Sequence, residues 1–174
     1  MDKEKLMVSS TVYGSEDLLD NIYGQLSEKY NVFMSHKGTV INNSNHSCYQ
    51  DCRKAVEDCD IFLGIITPSY GSGLSKSNPF SITHQEMVLA KDLNKKRYYI
   101  VNDKVIFSST FLEEMSLDIN TLKKNGKKLR NLVTDLYVVQ MYRDILENEP
   151  SDYFKLESYL RFSEAESKIQ NFLL

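Results

Sequence analysis

The chain has no tryptophan, only three cysteines and three prolines, and no apolar run long enough for a signal peptide or a membrane span. Without a secretion signal, so few cysteines predict a protein of the reducing cytoplasm, not of the membrane. The net charge of −3 predicts no attraction to nucleic acid. The one basic cluster, KKNGKKLR at 123–130, is read either as a solvated turn between helices or as a nucleic-acid contact, and its shortness favours the turn.

Several functional fingerprints are missing too. Neither GxGxxG nor the Walker pattern occurs, which leaves no dehydrogenase or NTPase signature. The three cysteines, Cys48, Cys52 and Cys59, share one helix face and lack the tight CxxC spacing of zinc sites, so we expect buried thiols and no metal. Spacing indicates no Ser–His–Asp or Cys–His pairing. We also expect no covalently bound cofactor.

What the sequence does contain is an alternation of strand and helix patterns over its first hundred residues. Strands are predicted at 5–10, 31–35, 60–67 and 96–102, and the helices between them at 15–30, 48–59 and 81–93. This order predicts a flavodoxin-like α/β fold, with a mostly parallel sheet of four to five strands and helices on both faces.

The pattern beyond Asn102 is weaker. Segments 105–117 and 119–125 are predicted helices, LYVVQMY (136–142) a fifth strand and 163–174 a closing helix, while 154–162 is ambiguous. We therefore expect an α/β domain over 1–145, with a mainly helical C-terminal extension over 146–174 packed on the same domain.

Three loops rich in hydroxyl groups or glycine follow the first three strands, at 9–14, 35–40 and 67–73. In a parallel sheet such loops meet at the carboxyl ends of the strands, where ligands bind and where N–H groups and hydroxyls can hold phosphate oxygens. Tyr13 and Tyr70 can stack on a base there. The candidate ligand contacts are Ser9, Ser10, Thr11, Tyr13, Tyr70, Gly71 and Ser72. The alternative is that these residues only form turns and caps.

Glu86 lies on the apolar stripe of the third predicted helix, between Ile82 and Leu89. At the helix start it can face the loop crevice, where a carboxylate binds ribose hydroxyls or stabilises positive charge on an anomeric carbon. The alternative is a capping box in which Glu86 bonds back to the helix start at Thr83. The neighbouring His84 is either an acid–base partner or ribose contact, or a surface histidine.

Taken together, MVSSTVYGSEDL, CDIFLGIIT followed by YGSG, and ITHQEMVLAKDLNKKRYYIV resemble the DUF4062 domain over roughly residues 5–102. That family is related to the TIR and nucleoside 2-deoxyribosyltransferase folds, so the resemblance implies a TIR-like sheet. In the enzymatic relatives the glutamate at this place acts on an N-glycosidic bond, as nucleophile in the transferases and as the catalytic acidic residue in NAD-cleaving TIR domains. The resemblance therefore implies a catalytic Glu86; His84 is a catalytic candidate only by its place next to that acid on the helix.

Two functions follow from this resemblance. The first is an enzyme that binds a nucleotide and cleaves the N-glycosidic bond of NAD or a related nucleotide in stress or phage-defence signalling, or transfers the sugar as a deoxyribosyltransferase does. The second is a non-catalytic module that senses a nucleotide, self-associates as a homo-oligomer or recruits a partner protein. Turnover of a nucleotide distinguishes them.

Overall fold

The computed structural model describes residues 3–40, 47–73, 79–124, 132–133, 135–148 and 152–174. Within these ranges the strands are β1 (Lys5–Ser10), β2 (Asn31–Met34), β3 (Ile61–Ile66), β4 (Lys96–Asn102) and β5 (Phe154–Tyr159). The α-helices are α1 (Glu16–Lys29), α2 (Cys48–Asp58), α3 (Ile82–Asp92), α4 (Asp103–Glu114), α5 (Ile119–Lys124), α6 (Tyr137–Leu146) and α7 (Phe162–Leu173), with a 3₁₀ helix at Ser35–Lys37. Most of the predicted basic cluster lies outside the described residues.

The five strands form one parallel sheet in the order β2-β1-β3-β4-β5. The predicted flavodoxin-like α/β fold is thereby confirmed. The strand order reverses between β1 and β3, because α1 leads the chain outward to β2 while α2 leads it to β3 on the other side. In parallel sheets the crevice above such a reversal is where ligands bind.

Each face of the sheet is covered by its own set of helices, which explains why β3 is apolar throughout. Leu6 and Val8 of β1 pack in one core with α1 and α7, and Met7 packs in the other core with α2, α3, α4 and α6. Gly64 of β3 is required by packing, since a Cβ there would lie 2.5 Å from the ring of Tyr99.

The predicted strand at 136–142 is wrong, because Leu136 is the N-cap of α6 and residues 137–142 lie within that helix. Its adjacent valines, Val138 and Val139, favour a strand locally. Together with Ile145, however, they are buried at helical spacing, and α6 packs that stripe against the core. The fifth strand is instead β5, from the ambiguous segment, and it pairs with β4 at the edge of the sheet.

The chain after α6 thus contains β5 and the closing helix α7, which packs on α1. The division into 1–145 and 146–174 stays a prediction. In the described part of the chain, no helix combines the length and the apolarity needed to cross a membrane.

Candidate functional site

A cleft of about 510 Å³ lies at the carboxyl ends of the strands, at the reversal between β1 and β3. The size is that of a site for a small ligand. The loops after β1, β2 and β3 meet there, as the topology requires, and the N-terminal turns of α2 and α3 complete the wall. Every residue predicted as a ligand contact borders it, namely Ser9, Ser10, Thr11, Tyr13, Tyr70, Gly71 and Ser72.

The loop after β1 forms one wall and is held in place by the start of α1. The hydroxyl of Ser15 donates hydrogen bonds to the carbonyl oxygens of Thr11 (2.5 Å) and Val12 (3.0 Å). Ser15 occupies the N-cap position of α1, but its hydroxyl does not cap the helix. Tyr13 stands at the rim of the cleft with 83% of its surface exposed.

Glu86 is the deeply placed acid of the cleft. Its side chain is only 6% exposed, and its Oε2 accepts a hydrogen bond of 2.5 Å from the hydroxyl of Ser9. Ser9 shares the sheet face of Met7, which α2 and α3 cover, so β1 and α3 bring these two side chains together above the apolar core. The helical stripe is therefore apolar over the sheet and acidic where it reaches the cleft.

The capping-box interpretation of Glu86 is wrong. The N-cap of α3 is Ser81, whose hydroxyl accepts a hydrogen bond of 3.2 Å from the backbone N–H of His84. Thr83 lies inside the helix, and the Glu86 carboxylate points to Ser9 rather than back to the helix start. Because Ser81 caps the helix, the Glu86 carboxylate is not needed for capping and is available to the cleft.

Burial controls the protonation of Glu86. Removal from water raises its pKa from the ordinary 4.5 to about 7, while hydrogen bonds from Ser9 and from the Cys52 thiol act in the opposite direction. Burial, together with the nearby Glu86, raises the pKa of Cys52 well above its usual range. Cys52 is therefore a neutral thiol beside the acid, and Glu86 exchanges its proton near neutral pH.

His84 does not line the cleft that contains the predicted ligand contacts, and it lies behind Tyr70. It is 1% exposed, which excludes the surface interpretation, and it lines a second cavity of about 500 Å³ between α2, α3 and α6. Burial lowers the pKa of His84, although Asp144 opposes this effect. The ring is therefore neutral at neutral pH and is engaged by Tyr70 and Asp144. Its predicted catalytic role stays a prediction, and its contact with the predicted ligand loops is through the Tyr70 hydroxyl.

The β3 loop approaches α3 closely enough to need glycine. A Cβ on Gly71 would lie 3.1 Å from Thr83 Oγ1, and Gly73, with φ +92°, has the side chain of Ile82 at 2.6 Å from the place of a Cβ. This close approach keeps Ser72 and Tyr70 at the cleft wall. Residues 74–78 lie outside the described residues.

Some residues of the cleft wall were not singled out from the sequence as ligand contacts. Cys48, Cys52, His36 and Thr83 all line the cleft. The predicted burial of the thiols holds for Cys52 and Cys59 but not for Cys48, which is exposed at the first turn of α2. The N-terminal turn of α2 faces the same sheet edge as the N-terminal turn of α3. This feature of the topology could have identified Cys48 and Cys52 as residues of the cleft wall. Among the residues described, no group of three or more His, Cys, Asp or Glu side chains is arranged to hold a metal ion.

The strand order, the cleft at its reversal point and the buried acid define a flavodoxin-like α/β domain with a small-ligand site. The chain belongs to the family described as Domain of unknown function (DUF4062), which it matches over residues 5–151. The family assignment confirms the resemblance and extends it beyond β4. No curated protein matches the chain.

Among solved structures, the chain is similar to the CMP N-glycosidase BcmB of Clostridium botulinum. The TM-score is 0.50 with 14% sequence identity, and the match covers 98% of this chain and 100% of that chain. At this identity the similarity concerns the fold.

Proposed function

We propose that this protein binds a nucleotide in the cleft and cleaves its N-glycosidic bond, with Glu86 as the catalytic carboxylate. The observation that carries the proposal is a buried acid at the reversal point of the sheet, held by Ser9 and surrounded by the hydroxyl-rich loops after β1 and β3. Burying a charge is costly, and acids with a raised pKa in a cleft are concentrated at functional sites.

The chemistry follows from the charge that develops during cleavage. As the bond between the anomeric carbon and the base nitrogen breaks, the base keeps the electron pair and the sugar becomes positively charged. Ionised Glu86 stabilises that charge, because it lies in a poorly hydrated site where electrostatic interactions are strong. Water then supplies hydroxide to the sugar carbon and a proton to the departing base, so a mononucleotide gives the free base and the sugar phosphate. With NAD the nicotinamide leaves as a neutral base, and the proton of the water goes to solvent.

Ser9 and Cys52 support the acid in this reaction. The Ser9 hydroxyl fixes one carboxylate oxygen at 2.5 Å, and the neutral Cys52 thiol lies beside it without adding charge. Fixing the carboxylate before the substrate arrives avoids reorganisation during the reaction. Both side chains come from the elements that flank α3, so the arrangement belongs to the scaffold rather than to a mobile loop.

The substrate class is a nucleoside phosphate, with two candidates to separate. Cytidine 5′-monophosphate is suggested by the similar N-glycosidase, and NAD by the resemblance to TIR domains. The cleft volume of about 510 Å³ accommodates a mononucleotide fully, whereas a dinucleotide would extend beyond it. We therefore expect mononucleotides to react faster than NAD.

The test is to incubate the protein with CMP, AMP and NAD separately and to follow release of cytosine, adenine or nicotinamide by liquid chromatography. Glu86→Gln should abolish release, and Glu28→Gln, an exposed carboxylate on α1, should leave it unchanged. Release that survives in Glu86→Gln would refute the mechanism. Adding an acceptor base to a deoxynucleoside distinguishes a transferase, since a new nucleoside would form. Binding without turnover would support the non-catalytic module instead.

The cellular setting is a separate matter. A role in stress or phage-defence signalling, a cytoplasmic location and a homo-oligomeric state or partner protein stay predictions that the turnover assay does not address. Sedimentation of the purified chain measures the oligomeric state directly.

A further inference from the structure

The side chain of Tyr70, at the cleft wall, belongs to an aromatic column that reaches away from the sheet edge. The rings of Tyr70 and Tyr137 are stacked, with centroids 5.5 Å apart and planes inclined by 23°. The ammonium group of Lys123 lies 3.0 Å from the centroid of the Tyr137 ring. The column therefore runs from a cation through two rings to the cleft, and α6 supplies its middle member.

The hydroxyl of Tyr70 is fixed in addition to its ring. It accepts a hydrogen bond of 3.1 Å from the backbone N–H of Ser81 and lies 2.9 Å from Nδ1 of His84. On the other side of that imidazole, Nε2 is 2.8 Å from Oδ2 of Asp144. The second oxygen of Asp144 accepts a hydrogen bond of 2.6 Å from Gln140, so the whole chain of contacts ends on α6.

These contacts determine the tautomer of His84. A carboxylate only accepts, so Nε2 carries the proton and donates it to Asp144. Nδ1 is then bare and accepts from the Tyr70 hydroxyl, which in turn accepts from Ser81. Every donor in this series of hydrogen bonds meets an acceptor. The hydroxyl of Tyr70 is held by these hydrogen bonds and its ring by the stack on Tyr137, so the orientation of the ring is fixed.

We propose that Tyr70 is the base-stacking platform of the cleft, and that His84 and Asp144 are positioning residues that fix its ring through the hydroxyl. The inference rests on the proposed function in taking the ligand to be a nucleotide. It assigns His84 a role through Tyr70 rather than at the sugar, because both imidazole nitrogens are already engaged and the residue borders the second cavity instead of the cleft.

The experiment measures binding in a Glu86→Gln background, so that no turnover interferes. Calorimetry with CMP, AMP and ribose 5-phosphate separates contacts to the base from contacts to the sugar phosphate. Tyr70→Leu should weaken both nucleotides by about tenfold, the range of one base–aromatic stack, and should leave ribose 5-phosphate within about twofold. Tyr153→Phe, at an exposed tyrosine next to β5, is the matched control and should bind like the parent.

The positioning role has its own test. Tyr70→Phe keeps the ring and removes the hydroxyl, and His84→Phe keeps a ring of similar size and removes the acceptor. Each single variant should bind nucleotide about threefold to tenfold more weakly than the parent. The double variant should bind no more weakly than the single variant with the lower affinity, since both substitutions break the same contact. Multiplying effects would overturn the positioning role. Nitrogen NMR of the unsubstituted protein, which requires no variant to fold, should show Nδ1 of His84 bare, and a protonated Nδ1 would also overturn it.

The outcomes separate this inference from the proposed function. Nucleotides that bind through Tyr70 without being cleaved by the parent protein would refute the catalysis and retain the platform. Cleavage that continues with equal affinity in Tyr70→Leu would refute the platform and retain the catalysis. If neither CMP nor AMP binds at millimolar concentration, or if ribose 5-phosphate weakens as much as they do, the platform is refuted.

Discussion

Replacing Glu86 with glutamine should change how the stability of the fold depends on pH. Burial raises the pKa of Glu86 from 4.5 to about 7, so between these values the folded protein holds a proton that the unfolded chain has released. Protonated Glu86 therefore contributes stability that is fully present below about pH 4.5 and is lost as the pH rises through about 7. Glutamine has nearly the same shape and no charge, so the variant escapes that loss.

The size of the effect follows from the two pKa values. At about 1.4 kcal/mol per pKa unit, complete ionisation of Glu86 costs the fold roughly 3 kcal/mol. Between about pH 5 and about pH 8.5, Glu86→Gln should gain roughly 2 to 3 kcal/mol in free energy of unfolding relative to the parent protein. For a chain of this length the corresponding difference in Tm is about 5–10 °C.

Urea unfolding of both proteins at the two pH values measures this gain, and Glu28→Gln, at an exposed position of α1, is the control. Titrating groups that do not contact Glu86 are common to the two proteins and cancel in the comparison, and the neighbouring Cys52 stays a neutral thiol because burial is the main cause of its raised pKa. A difference in stability that is the same at both pH values would show that Glu86 ionises without unusual cost. The reasoning from burial, and with it the electrostatic basis of the proposed mechanism, would then be refuted.

Three further predictions concern the site and the packing around it. The kcat/KM for base release should rise with pH through about 7 and then level off, because ionised Glu86 is the reactive form, and a pH-independent rate would contradict this. Gly64→Ala should destabilise the fold by about 1–3 kcal/mol, since its Cβ meets Tyr99, whereas Gly24→Ala on the open side of α1 should gain about 0.5–1 kcal/mol; urea unfolding compares them. Ser81→Ala should cost about 1 kcal/mol by removing the cap of α3, and an unchanged Tm would dispute that cap.

The alternation of strands and helices up to β4 could be predicted from the sequence because the hydrophobic pattern within each segment is enough to identify that segment as a strand or a helix. The bounds of β1 match the prediction, and β3 is an unbroken apolar run of the kind that two covered faces require. The meeting of the loops at one edge follows from parallel topology alone. The family resemblance, based on motifs within the first hundred residues, likewise depends on this local regularity.

Secondary structure was harder to predict in the second half of the chain, because the local sequence preferences there conflict with how the segments pack. Val138 and Val139 favour a strand, yet the stripe that continues to Ile145 is buried as a helix. β5 is a half-buried edge strand, so its pattern is weak. The contact between His84 and Asp144 joins residues 60 positions apart, and nothing in the sequence near either residue indicates that they meet.

The contact between His84 and Asp144 bears on the order in which the parts of the candidate site are completed during synthesis. A nascent chain that ends at β4 already contains Glu86, Ser9 and Tyr70, but it has neither Tyr137 nor Asp144 to hold the Tyr70 ring. Both contacts are long-range, since Ser9 and Glu86 are 77 residues apart and His84 and Asp144 are 60 apart, so the difference between them is the order in which their partners are synthesised. Under the proposed function, a chain synthesised only as far as β4 therefore contains the reacting acid but still lacks the residues that would position the stacking ring.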